Sequence, residues 1–469
     1  MKKNNFYKKN RIHFIGIGGI GMSGIAELML NLGYKIQGSD NNISYNISRL
    51  RKKNIKIFLN HHSRNIKNAD AVVFSSAIKK NNSEILAAKK KSIPILSRAD
   101  MLAELMSNKN SIAIAGSHGK TTTTSLVGSI LHESKSDPTI VNGGIINSFS
   151  SNSKFGSGKW MVVEADESDG SFLRLPHEIN IITNIDAEHL DYYKNIENIF
   201  LSFKKFSTNI PFHGFSIICL ENRLSAKLAN QIKTRNVITY GINKKSADFN
   251  ITKINIKNNY SVFNIQIKKN KFLKFSGTCK FELNLYGNHN ILNATASIAA
   301  AILLKISISK IQKALKKFQG VKRRFTFLGK IGKSFIYDDY AHHPTEIKAT
   351  LEIAKKISKN KTILIFQPHR YSRTKDLYYD FIKTLTKANY LYINDIYRAG
   401  EKPIKGVTSR NLVKDIQKKG FKNVFYFKNF KNINFLLSNH YKEENTIIFM
   451  GAGSISKHAY DLIKKKNVS

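Results

Sequence analysis

Cysteine is scarce in this sequence, because two of the 469 residues are cysteines, Cys219 and Cys279. They lie far apart and form no Cys-x-x-Cys pair. This spacing argues against a disulfide framework and against a cysteine-ligated zinc site. So few cysteines are typical of a protein that works in a reducing compartment.

Long apolar runs are also missing. The best candidate, SIAAAILLKISIS at 297–309, is broken by Lys305, whereas a membrane helix needs about 20 apolar residues. The N-terminus has basic residues before an apolar stretch, but that stretch is short, rich in glycine and followed by Glu27, unlike a secretory signal. We therefore expect a soluble cytoplasmic protein without a membrane partner.

Acidic residues are few, with 32 aspartates and glutamates against 76 lysines and arginines and a formal net charge of +44. This charge is compatible with a nucleic-acid partner. However, lysine and asparagine are scattered along the whole chain, and there is no arginine-rich block or RNA-recognition motif. Compositional drift explains the charge better, so we expect no nucleic-acid partner.

What the sequence does contain is a regular alternation of apolar strand-like runs and helical segments. Alternation of this kind predicts parallel sheets with helices on their faces. A charged stretch near 108–110 and a glycine at position 320 divide the pattern into three domains, over 1–108, 109–320 and 321–469. Between 247 and 286 apolar and polar residues alternate, which predicts an antiparallel region at the side of the central domain.

Two glycine-rich loops each follow a predicted strand and precede a predicted helix. The first, GIGGIG at 16–21, matches Gly-x-Gly-x-x-Gly, and Asp40 follows roughly 20 residues later. Its glycines let the backbone approach a diphosphate, and the helix N-terminus supplies N–H donors. A dinucleotide and a UDP-sugar both fit this loop, and a tight turn without a ligand is the alternative.

The second loop, GSHGKT at 116–121, is a shortened phosphate loop. The longer pattern, G-x-x-x-x-G-K-[ST], would need a glycine where this chain has Ile114. Lys120 suits the β- and γ-phosphates of ATP, and the Thr121 hydroxyl suits Mg²⁺. The run of four threonines at 121–124 is poor for helix propensity, so an ordinary helix cap is the weaker interpretation.

Carboxylates follow the next predicted strand, in EADESD at 164–169. A carboxylate beside a phosphate loop is where a Mg²⁺ ligand is expected, and a solvated acidic turn is the alternative. Another predicted strand is followed by His189 and Asp191, of which His189 is a candidate ligand.

The last third of the chain has the densest polar segments, RRF at 323–325, DDYAHHPTE at 338–346 and FQPHRYSRT at 366–374. Arginine forks grip carboxylates and phosphates, so these segments predict an anionic substrate. A metal site at His342 and His343 is disfavoured, because adjacent side chains at a strand end point apart.

Nine motifs together resemble those of the Mur ligase family, in order over essentially the whole chain. They are GIGGIGMSGIAE, GSHGKTTTT, EADESD, NIDAEHLD, GNHNILNATA, GVKRRF, DDYAHHPTEI, FQPHRYSRT and GAGSI. The resemblance implies an α/β fold of three domains. Rossmann-like parallel sheets at the N- and C-termini would flank a central P-loop ATPase-type α/β domain with the added antiparallel region.

The resemblance also implies an activity, that of the alanine-adding branch of the family. ATP, UDP-N-acetylmuramate and L-alanine would give ADP, phosphate and the alanyl product through an acyl phosphate, in peptidoglycan precursor synthesis. ATP and Mg²⁺ would be the cofactors, and the protein would be a monomer or weak homodimer.

By motif similarity, the resemblance implies roles for individual residues. The ATP contacts would be Gly116, Ser117, His118, Gly119, Lys120, Thr121, Thr122, Asn290, Asn293, Arg324 and Asp339. The Mg²⁺ ligands would be Thr121, Glu164 and His189. The sugar-nucleotide and alanine contacts would be Gly16, Gly18, Gly19, Gly21, Met22, Ser23, Asp40, His369, Arg370 and Arg373. The catalytic set would be Lys120, His343, Arg370 and Arg373.

Three alternatives to this activity remain. A murein tripeptide ligase has a similar phosphate loop, but its first loop departs from GIGGIGMS. A dehydrogenase would explain the first loop and leave the second loop and the acidic cluster without a role. A nucleic-acid-stimulated ATPase is suggested by the charge alone.

Overall fold

The computed structural model describes residues 10–149, 151–257, 260–273 and 275–466. The chain forms two compact units, one up to Gln319 and one from Gly320 onward. Among the described residues, no helix is both long enough and apolar enough to cross a membrane.

The first unit begins with five strands and four helices. The strands are β1 (Arg11–Ile15), β2 (Lys35–Asp40), β3 (Lys56–Leu59), β4 (Ala71–Phe74) and β5 (Ile95–Ser97), and the helices are α1 (Ile20–Asn31), α2 (Tyr45–Lys52), α3 (Ser83–Lys90) and α4 (Arg98–Met106). The strands are all parallel, in the order β3-β2-β1-β4-β5. The order changes direction between β1 and β4, and ligands of such sheets bind at the carboxyl ends of the strands at this point. The first glycine loop follows β1 and lies there.

The rest of the first unit is built on a sheet of ten strands. They are β6 (Asn110–Ala115), β7 (Thr139–Ile146), β8 (Ser151–Lys154), β9 (Trp160–Glu164), β10 (Ile179–Ile182), β11 (Phe215–Cys219), β12 (Asn236–Ile242), β13 (Phe249–Ile256), β14 (Ser261–Ile267) and β15 (Gly277–Leu283). Their order is β15-β14-β13-β12-β11-β10-β6-β9-β7-β8. The pairs β13–β14 and β14–β15 are antiparallel, which confirms the predicted antiparallel region and shows that it extends the central sheet.

Six helices accompany this sheet. They are α5 (Lys120–Glu133), α6 (Leu190–Tyr193), α7 (Ile196–Thr208), α8 (Arg223–Gln231), α9 (Asn288–Leu303) and α10 (Ile308–Lys317). The first four side chains of α5 after Lys120 are threonines, and all four are buried. Since threonine has a low helix propensity, burial holds this first turn.

The second unit has six strands and six helices among the described residues. They are β16 (Thr326–Ile331), β17 (Ser334–Asp339), β18 (Thr362–Phe366), β19 (Tyr390–Ile393), β20 (Val424–Tyr426) and β21 (Thr446–Met450), with α11 (Pro344–Ile357), α12 (Tyr371–Asp376), α13 (Tyr378–Leu385), α14 (Ser409–Lys418), α15 (Ile433–Leu437) and α16 (Ile455–Lys466). The strand order is β16-β17-β21-β18-β19-β20.

This last sheet differs in one strand from the all-parallel sheet that the sequence predicts. Strand β16 pairs antiparallel with β17 at the edge of the sheet. The physical reason is the connection, since two residues, Gly332 and Lys333, separate the strands, and so short a loop can join only antiparallel neighbours. Gly332 has a φ of +56°, a conformation that glycine adopts readily.

Candidate functional site

The phosphate-type loop after β6 turns at two glycines that leave no space for a side chain. Gly116 has a φ of +136°, and a Cβ there would lie 2.0 Å from Thr183 Oγ1. Gly119 has a φ of +83°, and a Cβ there would lie 2.6 Å from Asn293 Oδ1. Both the backbone conformation and the close neighbours therefore require glycine.

The segment after β10 holds this loop by hydrogen bonds. His118 O accepts from Thr183 Oγ1 at 2.6 Å and from Asn184 Nδ2 at 3.0 Å. The backbone N–H of Asp186 donates to Ser117 Oγ at 2.8 Å. The sequence-based set lacks Thr183, Asn184 and Asp186. Their position after a strand of the same sheet could have indicated these three residues, because the carboxyl ends of neighbouring parallel strands meet at one edge of the sheet.

Lys120 folds back over its own loop. Its Nζ donates to Gly116 O at 2.5 Å and lies 2.9 and 2.8 Å from the two carboxylate oxygens of Glu167. Burial acts to lower the pKa of Lys120, but the carboxylates of Glu167 and Glu164 outweigh it and hold the pKa above its ordinary range. Burial raises the pKa of Glu167 itself to about 7. The loop thus contains a permanent positive charge beside a carboxyl group that titrates near neutral pH.

Two of the three residues predicted as Mg²⁺ ligands lie together. Thr121 Oγ1 donates to Glu164 Oε1 at 3.1 Å, and Glu164 Oε2 accepts from the Gly143 N–H at 2.6 Å. A hydroxyl and a carboxylate at the start of the helix after a phosphate loop are suitable Mg²⁺ ligands. The donor chemistry at this position therefore fits a magnesium ion.

The third predicted ligand, His189, lies beside two further carboxylates. Its Nε2 is 3.5 Å from Glu188 Oε2 and 3.9 Å from Glu167 Oε1. One ligand atom from each of these three residues lies within 4.8 Å of the others. Glu188 was missed from the sequence as a ligand, although it precedes His189 in the quoted motif. Carboxylate oxygens and an imidazole nitrogen at this spacing fit a second divalent cation.

The asparagines predicted to contact adenine lie on the first turns of α9. Asn290 Nδ2 donates to Tyr286 O at 2.8 Å, and Asn293 Nδ2 lies 3.4 Å from Asn290 Oδ1. Because a Cβ at Gly119 would lie 2.6 Å from Asn293 Oδ1, the pair borders the phosphate loop. Thr122, another predicted ATP contact, is buried in α5.

The first glycine loop is tied to the end of β2. The N–H groups of Gly16 and Ile17 donate to Ser39 O at 2.8 and 3.1 Å. The Gly18 N–H donates to Asp40 Oδ2 at 2.8 Å. Asp40 therefore shapes the loop that it was predicted to serve. A Cβ at Gly18 would lie 2.9 Å from this carboxylate oxygen.

The helix after this loop begins beside Arg98, which no sequence motif indicated. A Cβ at Gly21 would lie 3.0 Å from Arg98 Nη1, and Arg98 Nη2 is 3.4 Å from Asp166 Oδ2. Arg98 thus links the glycine loop to the acidic segment after β9. Of the remaining predicted contacts, Gly19 is exposed, whereas Met22 and Ser23 are buried in the first turns of α1.

In the second unit, Asp339 organises the end of β17. Its carboxylate accepts from the N–H groups of Phe325 and Ala341, both at 2.7 Å. Burial raises its pKa to about 6. Arg324 Nη1 lies 3.6 Å from Glu346 Oε1, and its guanidinium lies over the Tyr340 ring at 5.4 Å.

The two adjacent histidines have different surroundings. His343 is buried and caps α11, with its Nδ1 accepting from the Thr345 N–H at 3.3 Å. The ring of His342 lies 5.9 Å from that of His369. The His342 ring therefore contacts the polar segment 366–374.

Three predicted substrate contacts lie together in the segment after β18. Arg373 Nη1 is 3.4 Å from His369 Nδ1, and the His369 ring stacks on Tyr397 at 5.5 Å. Arg370 has a φ of +71°. Burial, together with the neighbouring His342 and arginines, lowers the pKa of His369 to about 3, so this imidazole is neutral at physiological pH.

Comparison with known proteins finds three family models that match this chain in order. "Mur ligase family, catalytic domain" matches residues 11–110, "Mur ligase middle domain" residues 114–301, and "Mur ligase, glutamate ligase domain" residues 323–453.

Full-length relatives and a solved structure are also similar. UDP-N-acetylmuramate–L-alanine ligase of Rickettsia felis is 48% identical over 463 residues, covering 96% of this chain and 95% of that protein. The protein of the same name from Agrobacterium fabrum is 45% identical over 448 residues, covering 96% and 95%. The crystal structure of UDP-N-acetylmuramate–alanine ligase from Thermotoga maritima has a TM-score of 0.82 at 28% identity, covering 98% of this chain and 99% of that one.

Proposed function

The chain belongs to the Mur ligase family of ATP-dependent ligases, and from this premise we propose that it joins L-alanine to the lactyl carboxylate of UDP-N-acetylmuramate. The observation that carries the proposal is that one unit holds two phosphate-type loops, after β1 and after β6. Two such loops suit a reaction in which ATP supplies energy and a second nucleotide is part of the substrate that receives the amino acid. The relatives at 48% and 45% identity bear the name of this reaction.

The reaction has two stages. In the first, a lactyl carboxylate oxygen attacks the γ-phosphorus of ATP, the bond to the β-phosphate oxygen breaks, and ADP leaves. In the second, the amine of L-alanine attacks the carbonyl carbon of the acyl phosphate. The tetrahedral intermediate then loses phosphate and a proton to give the amide, which would enter peptidoglycan precursor synthesis.

In the first stage the residues of the loop after β6 bind and orient ATP. Lys120 supplies the positive charge that the transferring phosphoryl group needs, and the N–H groups at the start of α5 add donors without reorganising. Asn290 and Asn293 border this loop and would contact the adenine. Magnesium, held by Thr121 and Glu164 and by the group of Glu167, Glu188 and His189, would neutralise charge that develops on the phosphate oxygens.

The loop after β1 would hold the diphosphate of the sugar nucleotide. Its glycines allow close approach of the backbone, and the N-terminus of α1 favours an anion. Arg98, next to Gly21, adds a guanidinium that can pair with a phosphate oxygen. Asp40 maintains the shape of the loop through the Gly18 amide.

In the second stage Arg370 and Arg373 would hold the carboxylate of L-alanine, since a guanidinium fork matches a carboxylate in shape and charge. His343 and the neutral His369 would lie at this amino-acid position. Arg324 and Asp339 would contact ATP. We further propose that the protein works in the cytoplasm as a monomer or weak homodimer, without nucleic acid or membrane.

Phosphate release with each substrate omitted in turn tests the proposal. We expect release to require ATP, UDP-N-acetylmuramate and L-alanine together. Release that is indifferent to the sugar nucleotide would contradict the proposal. Release that requires the L-alanyl-γ-D-glutamyl-diaminopimelate tripeptide in place of L-alanine would identify a murein tripeptide ligase instead. Stimulation by DNA without the sugar nucleotide would indicate a nucleic-acid-dependent ATPase.

A further inference from the structure

Glu401, a carboxylate in none of the predicted sets, joins two loops of the second unit. Its Oε1 accepts from Ser372 Oγ at 2.6 Å and lies 2.8 Å from Arg370 Nε. Its Oε2 accepts from the Ser372 N–H at 3.0 Å. The Glu401 side chain is 21% exposed. Three donors therefore converge on one partly buried carboxylate.

Further contacts connect the same two loops. The Arg370 N–H donates to Tyr397 O at 2.9 Å, and the Tyr397 N–H donates to Pro368 O at 2.8 Å. The rings of His369 and Tyr397 are stacked with an angle of 10° between their planes. The segment 368–373 is thus attached along the segment 397–401 by backbone, ring and side-chain contacts.

The backbone of Arg370 shows why such attachment is needed. Its φ of +71° lies in the left-handed region, where a residue with a Cβ remains only when its surroundings over-determine it. The Glu401 carboxylate contributes to that restraint, because it contacts both the Arg370 side chain and the N–H of Ser372, two residues further along the chain.

Glu401 contacts one edge of the Arg370 guanidinium, and this contact leaves another edge of the guanidinium facing away from Glu401. Glu401 pairs with Nε, whereas a fork of the two Nη groups is a bidentate edge for a carboxylate. Holding Nε therefore sets the direction in which the Nη fork points.

We propose that Glu401 is a positioning residue that aims the Arg370 guanidinium at the carboxylate of the amino-acid substrate. The inference rests on the proposed function, in which Arg370 and Arg373 hold L-alanine. Glu401 acts through Arg370 and through the N-terminal turn of α12, and it does not itself touch the substrate.

Glu401→Gln is the main test, because glutamine keeps the size and an acceptor oxygen for Ser372 but loses the charge that pairs with Arg370. We expect the KM for L-alanine to rise about tenfold, as a modest misplacement of a positioning group predicts, with the KM for ATP unchanged within about twofold. Glu401→Asp should recover part of the loss. Glu444→Gln is the matched control, because Glu444 is an exposed carboxylate of the same unit paired with Lys359 at 2.9 Å.

A double-mutant cycle separates positioning from a general structural role. In an Arg370→Lys background the Nε is absent, so Glu401→Gln should raise the KM for L-alanine much less than in the wild type. A fall in kcat with no change in the KM for L-alanine would overturn the inference. A lower KM would also overturn it, because it would mean that Glu401 competes with the substrate.

Amide hydrogen exchange provides a readout that does not depend on turnover. Glu401→Ala, which removes both acceptor oxygens, should speed exchange of the Ser372 amide and leave the exchange of β18 unchanged; unchanged exchange at Ser372 would refute the attachment. Failure of the proposed function would appear in the wild type, as phosphate release without L-alanine. Failure of this inference would appear only in the variants.

Discussion

Replacing Lys120 by methionine should abolish activity and also lower the free energy of unfolding, because the buried carboxylate beside it would lose its partner. Lys120 Nζ lies 2.8 Å from Glu167 Oε2, and the Glu167 side chain is 2% exposed. Removing one partner of a buried ion pair costs about 3–5 kcal/mol when the other stays charged. Since burial raises the pKa of Glu167 to about 7, this carboxyl can take up a proton near neutral pH, so we expect the lower end, about 3 kcal/mol.

The assay combines thermal unfolding with phosphate release, both compared with the wild type. For a unit of this size, a loss of about 3 kcal/mol corresponds to roughly 5 °C or more in Tm. We expect kcat to fall at least about 100-fold, because the positive charge of Lys120 beside the transferring phosphoryl group is lost. Lys135→Met, an exposed lysine just beyond the end of α5, should change neither property.

A second variant identifies the source of the instability. Lys120→Met with Glu167→Gln removes both charges, and replacing both partners of a buried pair is often close to neutral. The double variant should therefore regain most of the lost Tm and remain inactive. A single variant with wild-type Tm, or with near-full kcat, would refute this account of Lys120.

Three other predictions follow from local geometry. Gly116→Ala should raise the KM for ATP more than about tenfold in initial-rate assays, because a Cβ would lie 2.0 Å from Thr183 Oγ1. Gly420→Ala is the control, since Gly420 is also at positive φ but a Cβ there would have no atom within 4 Å, and it should leave this KM unchanged. Equal effects of the two substitutions would contradict the steric argument. Burial lowers the pKa of His177 to about 4 and keeps its imidazole neutral. The unfolded chain takes up this proton near pH 6.5 and the folded protein only near pH 4, so the free energy of unfolding should fall by about 3 kcal/mol as the pH falls from 6.5 toward 4. Chemical denaturation across this range should show less acid sensitivity in His177→Gln, and an identical pH profile would contradict the assignment. Asp40→Ala should raise the KM for the sugar nucleotide with little effect on the KM for ATP, because its carboxylate shapes the first glycine loop; an unchanged KM for the sugar nucleotide would remove Asp40 from that role.

Local patterns made the two glycine loops predictable. In both, a strand, a glycine turn and a helix are consecutive in the chain. The shortened loop was predicted to bind phosphate because Lys120 and Thr121 follow Gly119 directly. The family resemblance predicted from the ordered motifs is confirmed by the family models.

Groups assembled from distant segments were harder to predict. The sequence did not predict that Glu167 and Glu188 lie beside His189, because strand register decides which acids of EADESD face which neighbour. Glu401 is distant in sequence from Arg370 and has no motif around it that indicates a contact.

The antiparallel edge strand β16 was missed for a related reason. The alternation of strands and helices predicted parallel neighbours, and the two-residue connection at Gly332 was not recognised as a hairpin turn. Such a turn determines strand direction regardless of the pattern that follows it.

Transfer of oxygen from the sugar substrate to phosphate tests the central claim most directly. UDP-N-acetylmuramate labelled with ¹⁸O in both lactyl carboxylate oxygens would be incubated with ATP, Mg²⁺, L-alanine and the protein, and the released phosphate analysed by mass spectrometry. An acyl phosphate intermediate requires that the carboxylate oxygen which attacks the γ-phosphorus leaves with it, so each phosphate should carry one ¹⁸O. Unlabelled phosphate accompanying the alanyl product would contradict the proposed mechanism.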